Sequence, residues 1–179
     1  LDLMGFSLGR IEEVARDFRS TLLNAQNGAT ADTIGLKELS QGLLDQVVDL
    51  LNVRDESRYL FAGGIIQTKP VDLNNGTYVP PTVPPFPAAA DTDWYNGDNV
   101  IQEARVDEGF SVSYGVTADS NALEKIIRSF DAISEITFTS PPTAAELQAV
   151  RDSITLLTEA IEQNTVGEKT IGELFGQVE

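Results

Sequence analysis

Apolar residues at the start of the chain recur in steps of three and four, which places them on one face of a helix. Over residues 1–27 these steps form a strict heptad seam with charged residues off it, and 36–51 repeat the spacing on a broader apolar face. Asn27 and Gly28 separate the two stretches as a C-cap signal. The pattern predicts two helices folded back as an antiparallel hairpin. The residues of the first seam are Met4, Leu8, Ile11, Ala15, Phe18, Leu22 and Ala25.

Helical spacing returns after residue 119 and continues to the end of the chain. Pro141 and Pro142 stop a first helix, and Thr143 with Glu146 has the spacing of a capping box that begins a second. Because the first and last long helices each carry an apolar seam without a local partner, we expect them to pack along each other. The apolar positions of the shorter helix are Leu123, Ile126, Ile127, Phe130 and Ile133.

The middle of the chain has turn signals in place of helical spacing. Asn74–Thr77 lies between Val71–Leu73 and Tyr78–Val79, which predicts a β-hairpin. Prolines from Pro80 to Pro87 then predict a stiff extended loop. Partial alternation over 100–114, broken by a glycine, predicts two short strands.

Aromatic residues of the middle segment are numerous enough to suggest a small satellite core of their own. A segment of this size rarely folds alone, so we expect it to lean on the helices. The residues of this expected satellite core are Tyr78, Phe86, Trp94, Tyr95, Phe110 and Tyr114.

These patterns predict a mainly α fold with a β insert (α+β). Residues 1–65 and 116–179 are expected to form the two halves of a rod-like antiparallel helical bundle built from both chain ends. Residues 66–115 are expected to form a small β-rich, proline-containing domain that projects from the middle of the chain.

Composition excludes several classes of chemistry. The 179 residues include no His and no Cys, which removes Ser-His-Asp and Cys-His catalysis, disulfides and nearly all thiolate or imidazole metal sites. The net charge of −16 disfavours binding to nucleic acid or anionic lipid. No apolar run approaches the ~20 residues of a membrane span. We therefore expect no catalytic residues, no cofactor, no metal, no nucleic acid and no membrane association.

The segment Asp91–Asp98 resembles a calcium-binding loop in composition but not in register. Such a loop requires Gly at its sixth position and Glu at its twelfth. Counted from Asp91, the glycine is seventh and the twelfth residue is Gln102. A polar turn is the favoured interpretation, with calcium binding as the weaker alternative.

Charged residues cluster where the second helix is predicted to end. Arg54, Asp55 and Arg58, with Glu56 between them, form either an exposed helix end or a salt-bridging surface for another subunit. We take Arg54, Asp55 and Arg58 as candidate subunit-interface residues.

Two motifs resemble the flagellin family. Leu51–Gly63 is similar to the family segment N-x-R-D-x-x-x-R-Y-L-F-A-G, and Tyr95–Asp98 is similar to a shorter Y-x-G-D motif. The Tyr-Leu-Phe-Ala-Gly ending places the chain closest to the hook-filament junction members, the hook-associated protein 3 group. The layout of helices at both ends with a β insert between them agrees, over nearly the whole chain.

The resemblance implies a structural, non-enzymatic subunit of the bacterial flagellum. Its partners would be copies of itself in a ring, flagellin and another hook-associated protein as neighbours, and an export chaperone. Its location would be extracellular, after type III export without a cleaved signal peptide. The family's tube-forming terminal segments have no counterpart here, so we expect a fragment that is mainly monomeric in solution. A filament-forming flagellin is the alternative, and a carboxylate-based hydrolase carried in the insert is the third reading.

Overall fold

The protein is mainly helical, with two small antiparallel pairs of strands. A computed structural model describes the backbone of residues 2–29, 33–81, 90–107 and 110–176, and the side chains of 3–29, 33–81, 90–101 and 115–163. The helices are α1 (Asp2–Ala25), α2 (Leu36–Leu51), α3 (Asn121–Ser134) and α4 (Ala144–Gly176). The strands are β1 (Arg54–Asp55), β2 (Arg58–Tyr59), β3 (Gln102–Asp107) and β4 (Phe110–Tyr114). A membrane-crossing helix, long and apolar enough for a bilayer, does not occur within these ranges.

Helix α1 packs against both α4 and α2, and α3 packs against α2 and α4. The predicted contact between the first and last long helices is therefore present. Arg19 on α1 donates a hydrogen bond to the Thr158 hydroxyl on α4 at 3.2 Å, while Gly28, just past α1, lies against Leu147 near the start of α4. These two contacts show that α1 and α4 run in opposite directions. The α1 seam is buried as predicted, apart from the half-buried Met4.

The start of α4 confirms the predicted capping box. The Glu146 carboxylate accepts the Thr143 N–H at 2.7 Å, and the Glu146 N–H donates to the Thr143 hydroxyl at 3.2 Å. The same carboxylate accepts the Thr139 hydroxyl at 2.8 Å. Desolvation raises the pKa of Glu146, but these hydrogen bonds outweigh it and leave the pKa below its usual range.

Helix α3 is the centre of the fold, since nearly all of its side chains are buried. Phe130 packs on Phe18 of α1 with ring centroids 4.8 Å apart, and its carbonyl accepts a hydrogen bond from Ser40 of α2 at 2.6 Å. A 14-residue helix in this position cannot direct all of its polar residues to solvent. Its acidic and basic side chains therefore need partners inside the protein.

Two partners come from the middle segment. The Tyr78 hydroxyl donates a hydrogen bond to the Asp131 carboxylate on α3, and the Asp91 N–H donates to Glu124 at 3.4 Å. Glu124 also forms a buried ion pair with Arg128, at 3.0 Å. Burial raises the pKa of Asp131 and outweighs the hydrogen bond from Tyr78, which lowers it; the charge of Glu135 adds a smaller upward shift.

The middle segment departs from two sequence predictions. The hairpin expected around Asn74–Thr77 is wrong: this segment forms consecutive turns, and Val71 pairs instead with Tyr95 in an antiparallel bridge. The separate satellite core is also wrong for the residues that the structure describes, because Tyr78 and Trp94 belong to the same buried cluster as the helices. The side chains of Phe86, Phe110 and Tyr114 lie outside the described residues.

The predicted pair of strands over 100–114 is confirmed. Strands β3 and β4 pair antiparallel, with Gln102 opposite Tyr114 and a register irregularity between Arg105 and Asp107. The domain boundaries at 65 and 115, and the projection of the insert, remain predictions.

Truncation of Phe18 tests the contact between α1 and the central helix. Phe18 is 1% exposed whereas Phe6, on the same helix, is 63% exposed. Phe18→Ala should lower the free energy of unfolding by about 3–5 kcal/mol, because it removes buried contacts and leaves a cavity. Phe6→Ala should change it by less than about 0.5 kcal/mol. Urea denaturation of both variants measures the difference, and equal effects would contradict the packing described.

The raised pKa of Asp131 predicts a pH dependence of stability. A carboxyl whose pKa is higher in the folded state binds its proton more tightly there, so its contribution to stability declines as pH rises from about 4 through the folded pKa. Asp131→Asn keeps an acceptor for Tyr78 but cannot ionise. The wild type should therefore lose more unfolding free energy between about pH 4 and pH 7 than the variant does.

Denaturant titrations at the two pH values measure this difference. Asp49→Asn, an exposed change on α2, serves as the control. If Asp131→Asn declined in stability as steeply as the wild type, the buried carboxyl would not be the source of the dependence.

Candidate subunit interface and the loops that brace it

The candidate interface residues lie on a tight β-hairpin and not on a helix end. Helix α2 ends at Leu51, and β1 pairs with β2 so that Arg54 is opposite Tyr59 and Asp55 is opposite Arg58. Glu56 occupies the turn with a φ of 54°. A positive φ disfavours residues with a Cβ, so this turn holds an exposed acidic side chain at a small cost in backbone strain.

Arg54 is oriented by contacts within the hairpin. Its guanidinium lies 4.9 Å from the centroid of the Tyr59 ring and donates to the Ser57 carbonyl at 3.1 Å. Asp55 and Arg58 are exposed, and in the described part of the chain neither forms an ion pair. The hairpin therefore presents charges of both signs that remain available to a neighbouring molecule. Their role in an interface remains a prediction.

The two sequence motifs, far apart in the chain, meet directly behind this hairpin. The Asp98 N–H donates to the Ala62 carbonyl at 3.2 Å, and the Asp98 carboxylate accepts the Gly64 N–H at 2.6 Å. The Tyr95 hydroxyl donates to the Asp98 carbonyl at 2.8 Å. Burial, followed by the charges of Asp119 and Asp98, raises the pKa of Tyr95, so this hydroxyl stays protonated as a donor.

Both motifs need glycine where their backbones touch. Gly63 has a φ of 69°, and a Cβ there would overlap the Asp98 backbone. A Cβ on Gly97 would overlap the Tyr95 hydroxyl and lie 2.6 Å from the Ala62 carbonyl. Only glycine allows the two loops to approach this closely.

Asn52, which the sequence pattern did not single out, is a structural residue of the first motif. Its side chain donates to the Val71 carbonyl at 3.0 Å and accepts the Val71 N–H at 3.0 Å. This pair of bonds fixes the entry of the middle segment beside the end of α2. The sequence did offer a signal for this role. An Asn stands directly after a predicted helix and before a β-rich segment with unpaired backbone groups, which its side chain can both donate to and accept from.

The remaining described residues offer no metal site. No group of three or more acidic side chains in these ranges is placed to hold an ion. In the segment that resembles a calcium loop, Asp91 accepts the Asp93 N–H at 2.9 Å, and Trp94 is buried in the core. Its polar residues therefore form a turn that positions Trp94.

Adding a methyl group at Gly97 tests the contact between the motifs. Gly97→Ala should lower the unfolding free energy by about 1–3 kcal/mol, since the new Cβ has no room between the two loops. Gly42, in the middle of α2, has no atom within 4 Å of an added Cβ. Gly42→Ala should raise the unfolding free energy by about 0.5–1 kcal/mol, the usual helix preference for Ala. Thermal unfolding of both variants measures whether stability falls for Gly97→Ala and rises for Gly42→Ala. A neutral or stabilising Gly97→Ala would refute the contact.

Two solved structures of flagellar proteins are similar to this chain in overall fold. FlgL of Bacillus cereus is similar with a TM-score of 0.69 and 14% sequence identity, over 99% of this chain and 77% of that one. A flagellar hook-associated protein from Vibrio parahaemolyticus is similar with a TM-score of 0.58 and 18% identity, over 97% of this chain and 76% of that one. No protein-family profile and no curated protein sequence matches the chain. The resemblance found in the sequence is thus confirmed at the level of the fold, and the chain has the fold of flagellar hook-associated proteins.

Proposed function

We propose that this protein is a non-enzymatic structural subunit that joins the hook to the filament of a bacterial flagellum. The observation that carries the proposal is the conjunction of a hook-associated fold with the Arg54–Tyr59 hairpin braced by the two motif loops. Its location would be the extracellular flagellum, reached through type III export without a cleaved signal peptide. Flagellin and another hook-associated protein would be its neighbours, and an export chaperone would accompany it before export.

The helices supply the stiffness that such a subunit needs. We infer that rods built from α1 and α4 stand side by side in a ring, with Arg54, Asp55 and Arg58 facing the adjacent copy. Exposed ion pairs contribute only about 0–1 kcal/mol each, so they set register between neighbours more than affinity. A closed ring repeats each contact around its circumference, and this repetition supplies the stability.

Position along the flagellum distinguishes a junction subunit from a filament subunit. Antibody against this chain, detected with gold particles on isolated flagella, should label a short zone between hook and filament. Label along the whole filament would favour the alternative, a filament-forming flagellin. Intact flagella without label at either place would overturn both.

Charge reversal tests the hairpin in the assembled organelle. The whole protein carrying Arg54→Glu with Arg58→Glu should be recovered in isolated flagella about tenfold less than the wild type, because reversed charges repel the neighbour. Arg151→Glu, an exposed change on α4, should leave recovery unchanged. Equal recovery of the two variants would show that the hairpin is not part of the interface. The position of the protein along the flagellum, measured by gold labelling, would not be affected by that result.

The 179-residue chain alone should be mainly monomeric at tens of micromolar. Its net charge of −16 opposes association at low salt, and the apolar faces of α1 and α3 are already covered inside the fold. Sedimentation should give a mass near 19.4 kDa. A stable ring or dimer at that concentration would show that these surfaces assemble without further segments.

A further inference from the structure

An apolar surface lies beside the charged hairpin. It consists of the exposed side chains of Ile65, Val100 and Ile101 and of Leu60, which is half-buried and also packs against the core; it is called here the 65/100 patch. Ile65 is 43% exposed, Val100 55% and Ile101 42%. Leu60, Val100 and Ile101 line a shallow depression together with Met4 at the start of α1. Large apolar side chains exposed together, next to a polar rim, are the usual composition of a protein-binding surface.

The patch is continuous and firmly held. The Asp98 carboxylate accepts both the Gly64 N–H at 2.6 Å and the Val100 N–H at 3.0 Å, so one side chain joins the two segments that carry the patch. The Tyr59 N–H donates to the Ile66 carbonyl at 2.8 Å, which ties the hairpin to the same surface. A surface braced in this way loses little conformational entropy when it binds.

Charge identifies the partner. The hairpin carries two arginines, Arg54 and Arg58, and two acids, Asp55 and Glu56, so its formal charge is zero. The described part of the adjoining patch adds one carboxylate, Asp98, which accepts the Gly64 and Val100 N–H groups, while the chain as a whole has a charge of −16. A basic partner would be attracted more strongly to other faces, whereas another copy of this acidic chain meets less repulsion at this weakly charged surface.

We propose that the 65/100 patch is the apolar centre of the contact with a second copy of this chain, with the Arg54–Tyr59 hairpin as its charged rim. The inference rests on the proposed ring and adds to it the part of the surface that provides affinity. Desolvation of the aliphatic side chains provides the attraction, and the hairpin charges fix the orientation.

The test uses the chain itself, labelled with ¹⁵N, at concentrations from tens of micromolar to millimolar. Amide signals of Leu60, Ile65, Val100 and Ile101 should shift with concentration as copies associate. Val100→Asp should weaken this self-association about tenfold or more, as expected for a residue at the centre of an interface. A thermal melt confirms that the exposed substitution leaves the fold intact.

Ile34 provides a matched control. It is 76% exposed and lies just before α2, at the opposite end of that helix from the hairpin, so Ile34→Asp should leave self-association unchanged. Three outcomes would each overturn the proposed contact. The two substitutions could weaken self-association equally, the amide shifts could be confined to other residues, or the amide shifts could show no dependence on concentration up to millimolar. Gold label at the junction together with such a result would leave the proposed function standing and remove only this contact.

Discussion

The hydrogen bond between Tyr78 and Asp131 is the constraint on which the rest of the structure depends. Helix α3 is enclosed by α2, α4 and the middle segment, so its carboxyl groups have to be satisfied by the protein itself. Tyr78 satisfies one of them, and the Asp91 backbone satisfies another. The middle segment is thereby attached to the helical core, and Trp94 is buried with it. The insert thus supplies hydrogen-bond partners to acidic side chains that α3 buries.

This attachment extends outward to the surface. Because Trp94 is fixed, the following loop brings Asp98 to Ala62 and Gly64, where its carboxylate holds two segments at once. The hairpin that carries Arg54 and Arg58 is attached to the neighbouring segment by a further hydrogen bond, in which the Tyr59 N–H donates to the Ile66 carbonyl. Hydrogen bonds and the short chain segments between them therefore connect the buried face of α3 to an exposed surface of low formal charge. Such bracing suits the proposed role in a ring of subunits, since part of the binding energy of a flexible surface is lost in ordering it.

Heptad spacing was sufficient to predict the helices, the burial of the α1 seam and the contact between α1 and α4, because apolar periodicity reports directly which face is covered. The capping box at Thr143 was predictable for a similar reason: both of its hydrogen bonds are local. The partner of Val71 was not predictable, since Tyr95 lies far along the chain and Asn74–Thr77 offered a stronger local signal. The bond between Tyr78 and Asp131 was not predicted, because a carboxylate on an amphipathic helix normally faces solvent, whereas Asp131 accepts a hydrogen bond from the insert. Among the motif residues, the sequence indicated Arg54, Asp55 and Arg58 but not Asn52, whose role depends on a distant backbone.

The two attachment points on α3 also divide the insert into parts with different evolutionary freedom. Tyr78 and Asp91 each contact that helix, so the chain between them starts and finishes at fixed positions whatever its length. The entropic penalty for closing a loop grows only with the logarithm of its length. A change in the length of the chain between the two anchors should therefore leave the motif loops and the helices undisturbed.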